Sequence, residues 1–240
     1  MHKTNTTDLF TKSAKFYDAI YHFKDYTLAA GKLDAFIKQY SPDARSLLDT
    51  ACGTGKHIEH LRNKYKCEGL DLNNELLEIA SQRCPGIRFI HADMTTFDAG
   101  RKYDVVTCLF SSIAYVKTKE NLNKAVYAMS AHLNHGGLLI IEPWFSKENF
   151  WTDRVTANHY DTPELKITWM YTSKLENGLS VLDIHYLAGT PDGVVHFSEK
   201  HELGLFDDAE YRQAITDAGL EVHYDKHGLF GRGMYIGVKS

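Results

Sequence analysis

Ser46-Leu-Leu-Asp-Thr-Ala-Cys-Gly-Thr-Gly55 is the stretch whose reading decides the fold. Ser46 to Ala51 reads as a buried strand, Gly53-Thr-Gly55 as a turn, and His57 to Tyr65 as a helix with Ile58 and Leu61 inward. Glycines at 53 and 55 let the backbone turn sharply and let a ligand come close to it. The helix that follows adds unpaired amide donors at its N-terminus. The third glycine of a G-x-G-x-x-G dinucleotide loop is missing, since Ile58 stands there, and a G-x-x-x-x-G-K-[ST] phosphate loop is absent.

On either side of this loop the chain alternates. Cys67-Glu-Gly-Leu-Asp71, Ile87-Arg-Phe-Ile-His91, Tyr103 to Phe110 and Leu138 to Glu142 read as further strands. Asn74 to Arg83 and Asn121 to Leu133 read as the helices between them, the second ended by His135-Gly-Gly137. Nearly continuous apolar strands alternating with helices mean a parallel sheet covered on both faces. Right-handed crossovers make it a doubly wound α/β sheet with its ligand site at the strand carboxyl ends. Upstream, residues 8–40 show helical periodicity up to Ser41-Pro42-Asp43.

Residues 151–206 break the alternation. Lys166 to Thr172, Leu179 to Leu187 and Val194 to Ser198 read as strands joined at Glu176-Asn-Gly178 and Thr190-Pro-Asp-Gly193, an inserted small antiparallel sheet of three or more strands. Asp207 to Ala218 returns to helix, and Gly219 to His223 with Arg232 to Val238 form a closing strand pair, making seven strands in the main sheet. The expected organisation is a ligand-binding core of residues 1–150 and 207–240 that begins with an N-terminal helical segment, plus the 151–206 insertion.

The 240 residues are 43% hydrophobic and 24% charged with a net charge of -4, so neither a nucleic-acid surface nor a membrane partner is expected. No apolar run reaches the roughly 18 residues of a membrane span. Four widely spaced cysteines without a C-x-x-C make a disulfide framework or zinc site unexpected and point to a reducing cytoplasm. His57 and His60 share a helix, but without H-E-x-x-H no metal is expected.

Two more anchors define the ligand. Asp71, at the end of the second strand, can accept from both hydroxyls of a ribose. Ala92-Asp93-Met94 ends the third, where Asp93 can accept from an adenine amine and Met94 can cover the ring. Alone, each acid reads equally as a cap or turn residue; together, at the ends of successive strands, they indicate a nucleoside cofactor. Cys52 in the loop suits a small buried position rather than a nucleophile, because no base is marked for it.

The set D-x-A-C-G-T-G (Asp49–Gly55), G-L-D-L (Gly69–Leu72) and A-D-M (Ala92–Met94) resembles the class I S-adenosylmethionine methyltransferases over roughly residues 46–142. That resemblance implies a seven-stranded Rossmann-like sheet and S-adenosyl-L-methionine as cofactor. It implies Gly53 and Gly55 beside the methionine part, Asp71 on the ribose, and Asp93 and Met94 at the adenine, with Asp49, Ala51, Leu72 and Leu109 as further cofactor contacts.

A second resemblance covers nearly the whole chain. Phe110-Ser-Ser-Ile-Ala-Tyr115, Glu142-Pro-Trp144, His196-Phe-Ser198, Leu205-Phe206, Ala209-Glu-Tyr211, Ala218-Gly-Leu220 and Gly231-Arg-Gly233 occur in the order found in N,N-dimethyltransferases of dTDP-3-amino-3,6-dideoxyhexoses, of the desosamine and mycaminose type. It implies a nucleotide-sugar acceptor, an insertion that helps to hold it, and an N-terminal segment folded over the cofactor with Tyr17 and Tyr21 at the methionine end. Tyr17, Tyr115 and Glu142 become candidates to receive a hydrogen bond from the reacting amine. Ser111, Ser112, Tyr115, Glu142, Trp144, Arg154, His196 and Arg232 become candidate acceptor contacts. Glycines flanking Arg232 would let a diphosphate approach its guanidinium. A salt bridge for Arg232, a core place for Trp144 and exposed surface for Arg154 are the plainer readings. His196 and His201 are expected to meet in the insertion. A homodimer is a further expectation. The competing functions are a methyltransferase for another small amine or hydroxyl acceptor, a nucleotide-binding protein without catalysis, and an NAD oxidoreductase, the last disfavoured by Ile58 and Met94.

Overall fold

The computed structural model describes Phe10 and residues 12–240. Its main sheet has the order β10-β11-β5-β4-β1-β2-β3. Here β1 is Ser46–Thr50, β2 Lys66–Asp71, β3 Arg88–His91, β4 Tyr103–Cys108, β5 Leu133–Ile141, β10 Leu220–Asp225 and β11 Met234–Lys239. The first five are parallel to one another, and β11 and β10 close the sheet antiparallel.

Alternation along the central strands explains the two covered faces. Leu47, Val105 and Leu138 point to one side, where they meet Leu33 and Ile37 of α2 (Tyr26–Tyr40) and Ile58 of α3 (Lys56–Leu61). Leu48, Val106 and Leu139 point to the other, against Leu122 and Met129 of α5 (Lys119–Ala131) and Ile215 of α6 (Asp208–Asp217). Each of these leucines and valines is fully buried, contributing about 1.5–3 kcal/mol apiece. The expected fold class, a doubly wound seven-stranded sheet carrying an inserted antiparallel sheet, is therefore found.

Several expected boundaries differ. The helical stretch expected over 8–40, whose start lies outside the described residues, divides into a 3-10 turn at Ala14–Phe16, α1 (Tyr17–Ile20) and α2. Asp25 causes the restart, because its side chain accepts from the Leu28 N–H and caps α2. His135-Gly-Gly137 does not end a helix but lies inside β5, whose register against β4 shifts between Tyr103 and Val105 to absorb the extra residues. Gly136, at φ +73°, supplies the left-handed residue that this irregularity needs. A capping box at Asp207 and Glu210 starts α6, and Asn73 caps α4 (Asn74–Arg83).

Between β5 and α6 the chain forms a four-stranded antiparallel sheet in the order β6-β7-β8-β9: Val155–Asp161, Lys166–Glu176, Leu179–Thr190 and Gly193–Gly204. The expectation of three or more strands holds, and β6 is the strand that the sequence pattern does not mark. That edge strand is exposed at five of its seven positions, so it carries little apolar signal. The inner face of this sheet buries Ile167, Trp169, Ile184, Tyr186 and Leu203 against Phe16 and Ile20 of the N-terminal segment. No helix among the described residues is long and apolar enough to cross a membrane.

Candidate active site

The strand order reverses between β1 and β4, so their carboxyl ends open a crevice. Both strands leave it through unusual backbone: Ala51, Phe110 and Ser111 sit at φ of 56°, 52° and 62°. Left-handed conformations cost non-glycine residues about 1–2 kcal/mol each, and such strain clusters at sites of function. A cavity of about 860 Å³ begins here and extends to the inner face of the four-stranded sheet.

On the β1 side the wall is built from Ala51, Gly53, Asp71, Leu72, Leu76, Asp93 and Met94, with Tyr17 and Tyr21 above. Gly53 has φ +55°, and a Cβ there would meet only the Tyr17 ring, at 3.8 Å from its hydroxyl. The space over this glycine is therefore open to a ligand up to Tyr17. Asp71 accepts from the Gly53 N–H at 2.8 Å and from the Asn73 N–H at 2.9 Å, one on each oxygen. A carboxylate has about four acceptor positions, so both oxygens keep capacity for a diol. Burial raises the Asp71 pKa, against the backbone N–H bonds that hold the carboxylate in place. Asp93 uses Oδ1 for the Thr95 N–H and hydroxyl, both at 2.8 Å, and neither bond engages Oδ2. The Thr54 hydroxyl donates to Asp18 at 2.8 Å, and Arg83 bonds both Asp18 and the Thr54 carbonyl, tying α1 to the glycine loop.

On the β4 and β5 side stand Phe110, Ser111, Ser112, Tyr115, Glu142, Trp144 and, from the loop before β11, Arg232. Arg232 donates to Ser111 Oγ at 2.9 Å, and its guanidinium lies 4.7 Å from the Trp144 ring, whose N–H is held by Ser180 at 2.9 Å. Glu142 is fully buried and accepts the Phe110 N–H at 2.7 Å. Its other oxygen and the Lys24 Nζ have no hydrogen-bond partner among the described residues. Burial raises Glu142, which Lys24 and Arg232 oppose; burial likewise lowers Lys24, which Glu142 opposes. The far wall is apolar and aromatic: Trp169 and Tyr171 of β7, Leu182, Ile184 and Tyr186 of β8, His201 and Leu203 of β9.

Several expected site residues lie elsewhere. Asp49 is 2% exposed beneath the loop and accepts from the Thr107 hydroxyl at 2.7 Å; burial pushes its carboxyl up to about 7. Gly55, at φ +75°, starts α3 and packs on Ala80, while Leu109 is buried in the core. These three support the loop and do not line the cavity. Arg154 is exposed and not part of the cavity wall. His196 does not meet His201: five residues apart on one strand, they point to opposite faces. His196 is exposed on the outer face, its Nε2 3.2 Å from His185 Nδ1, while His201 turns inward to Tyr115 at 2.7 Å. Lys24, Phe110, Tyr186 and His201 join the wall without having been singled out as contacts. For the inner strand residues the available signal was alternation, which gives a face only once one member is anchored.

The family model described as "Methyltransferase domain" matches residues 47–137. The chain is 37% identical over 229 residues to the dTDP-3-amino-3,6-dideoxy-alpha-D-glucopyranose N,N-dimethyltransferase of Streptomyces fradiae, covering 94% of this chain and 90% of that one. It is 36% identical over 230 residues to the dTDP-4-amino-2,3,4,6-tetradeoxy-D-glucose N,N-dimethyltransferase of Saccharopolyspora spinosa, covering 95% and 92%. The crystal structure of DesVI from Streptomyces venezuelae superposes with a TM-score of 0.90 at 37% identity, over 95% of this chain and 98% of that one. Open acceptor positions on Asp71 and clear space over Gly53 fit a bound S-adenosylmethionine, the cofactor of these enzymes. The chain belongs to the S-adenosylmethionine-dependent methyltransferases, in the family of N,N-dimethyltransferases of dTDP-linked amino-deoxy sugars.

Proposed function

We propose that this protein transfers one or two methyl groups from S-adenosylmethionine to the amino group of a dTDP-linked amino-deoxy sugar. The observation that carries this reading is the single continuous cavity, which has nucleoside-binding carboxylates at one end and an aromatic wall with Arg232 at the other. Bound S-adenosylmethionine supplies a methyl group already activated on a sulfonium. The protein's task is then mainly to align donor and acceptor, which can supply about 7–11 kcal/mol of the barrier at best.

In this reading Asp71 holds the ribose hydroxyls, Asp93 and Met94 the adenine, and Tyr17 and Tyr21 close over the methionine end. Arg232, held 4.7 Å from the Trp144 ring, takes the diphosphate, with Ser111 and Ser112 beside it. The apolar residues of β8 suit a sugar that has lost hydroxyl groups. Tyr17, Tyr115 and Glu142 surround the place where an amine would sit, and excluding water there keeps the methyl for the sugar. The four free, buried cysteines support a place in the reducing cytoplasm. A homodimer belongs to the same proposal.

Relatives named for a 3-amino and for a 4-amino sugar match almost equally, at 37% and 36% identity. The test is therefore a mass-spectrometric assay with S-adenosylmethionine and a panel of both dTDP-3-amino and dTDP-4-amino deoxyhexoses. A gain of one or two methyl groups on one member is the expected outcome. No gain on any member, with S-adenosylhomocysteine still bound, would remove the amino-sugar assignment and favour another small acceptor.

A further inference from the structure

An ammonium group has no lone pair, so a sugar amine bound in its charged form must give up a proton before attack. Next to Tyr115 the fold assembles a chain of groups suited to take it. The Tyr115 hydroxyl lies 2.7 Å from His201 Nδ1. His201 is 2% exposed, and its Nε2 lies 3.6 Å from Glu199 Oε2, at ion-pair distance. Glu199 is itself buried and fixed by the Ser13 N–H at 3.1 Å and the Ser13 hydroxyl at 2.7 Å. The Phe10 ring closes over His201 at 4.8 Å. Three separate parts of the sequence converge here, and both Tyr115 and His201 reach the cavity.

We propose that Tyr115 is the catalytic residue that receives the ammonium proton, and that His201 and Glu199 are positioning residues that carry it away as a relay. This rests on the amine-acceptor reading above. The substrate N–H proton moves to Tyr115 Oη as the Tyr115 proton moves to His201 Nδ1. The result is a neutral amine, a neutral tyrosine and an imidazolium paired with the Glu199 carboxylate, so total charge is unchanged. The amine lone pair then attacks the methyl carbon, the carbon–sulfur bond breaks, and its electron pair stays on sulfur. When product leaves, the imidazolium proton returns through Tyr115 to water, and the relay is ready for a second methylation.

Tyr115 cannot serve alone as a phenolate. Burial, followed by the neighbouring Tyr21, Glu199 and Asp71, raises its hydroxyl well above the usual tyrosine value. Tyr17 and Tyr186 also face it, from the N-terminal segment and β8. Burial works against the Glu199 charge, but His201 and Ser13 outweigh it and hold the carboxyl below its usual range. An ionised carboxylate behind the imidazole is what an imidazolium requires.

The test compares wild type, Tyr115→Phe and His201→Gln for kcat, acceptor KM and S-adenosylhomocysteine affinity across pH 6.5–9.5. At pH 7 both variants should lose about 100-fold in kcat, the usual contribution of a positioned proton acceptor. KM and cofactor affinity should stay within about threefold, as for a group that acts only in the chemical step. The deficit should shrink as pH rises and the acceptor arrives already neutral. Wild-type kcat in both variants, or a deficit independent of pH, would overturn the relay alone. If His201→Gln no longer binds S-adenosylhomocysteine, Tyr115→Phe, which removes a single oxygen, decides. Absence of wild-type turnover on every amino sugar would overturn the functional reading, and the relay with it.

Discussion

The two sheets build their halves of the cavity differently. The seven-stranded sheet works through backbone: a glycine over open space, strained residues at the ends of β1 and β4, and carboxylates fixed by main-chain N–H groups. Its contacts come from one strand end after another: Ala51 and Gly53, Asp71 and Leu72, Asp93 and Met94, Phe110 and Ser111, and Glu142. The four-stranded sheet works through side chains on one face, while the other face shows Met170, Leu187 and the His185–His196 pair to solvent. Its contacts need partners from the N-terminal segment and the β11 approach. Backbone sites leave a mark in sequence because glycine and aspartate are needed at fixed offsets. A side-chain wall leaves only an alternating pattern that many residues satisfy.

That contrast predicts effects of different size. Asp71→Ala should be the most severe, since it removes the diol acceptor together with the carboxylate to which the Gly53 N–H donates. S-adenosylhomocysteine affinity, read by calorimetry, should fall about 100-fold, or about 3 kcal/mol. Unchanged affinity would remove Asp71 from the ribose.

Asp49, in the same motif but outside the cavity, should act on stability instead. Above about pH 4 the unfolded chain ionises this carboxyl, whereas the folded chain keeps it protonated up to about pH 7. Between those values the folded state holds the extra proton, so stability is lost as pH rises. Asp49→Asn keeps an acceptor for Thr107 and removes the cost. Its stability advantage over wild type, read as a Tm difference, should grow from pH 4 to 7 and then level off, on the order of 4 kcal/mol. A pH-independent difference would mean that Asp49 is ionised in the fold.

In the other half, Arg232→Ala should raise the acceptor KM about tenfold, the value of one charge-assisted contact, and leave S-adenosylhomocysteine affinity intact. An equal loss of cofactor affinity would make Arg232 a brace for Ser111. His196→Ala should have the smallest effect, with kcat and KM unchanged within about twofold, as expected of an exposed side chain away from the site. A tenfold KM change there would show that the outer face takes part in acceptor binding.

The sequence by itself determined the doubly wound sheet, the glycine loop, the strand-end carboxylates and the kind of cofactor. These follow from local rules: buried parallel strands read as apolar runs, and tight turns near a ligand require glycine. It also marked an antiparallel insertion, through its turns. What only the tertiary structure decided was which residues share a surface. β6 was hidden because an exposed edge strand needs no apolar pattern. His196 and His201 were separated because a pleated strand sends positions five apart to opposite faces. Tyr115, His201, Glu199 and Ser13 span nearly 190 residues of chain, with Ser13 and Glu199 alone 186 apart. Their contact arises from docking a sheet and a helical segment onto a common core, which no local pattern in the sequence encodes.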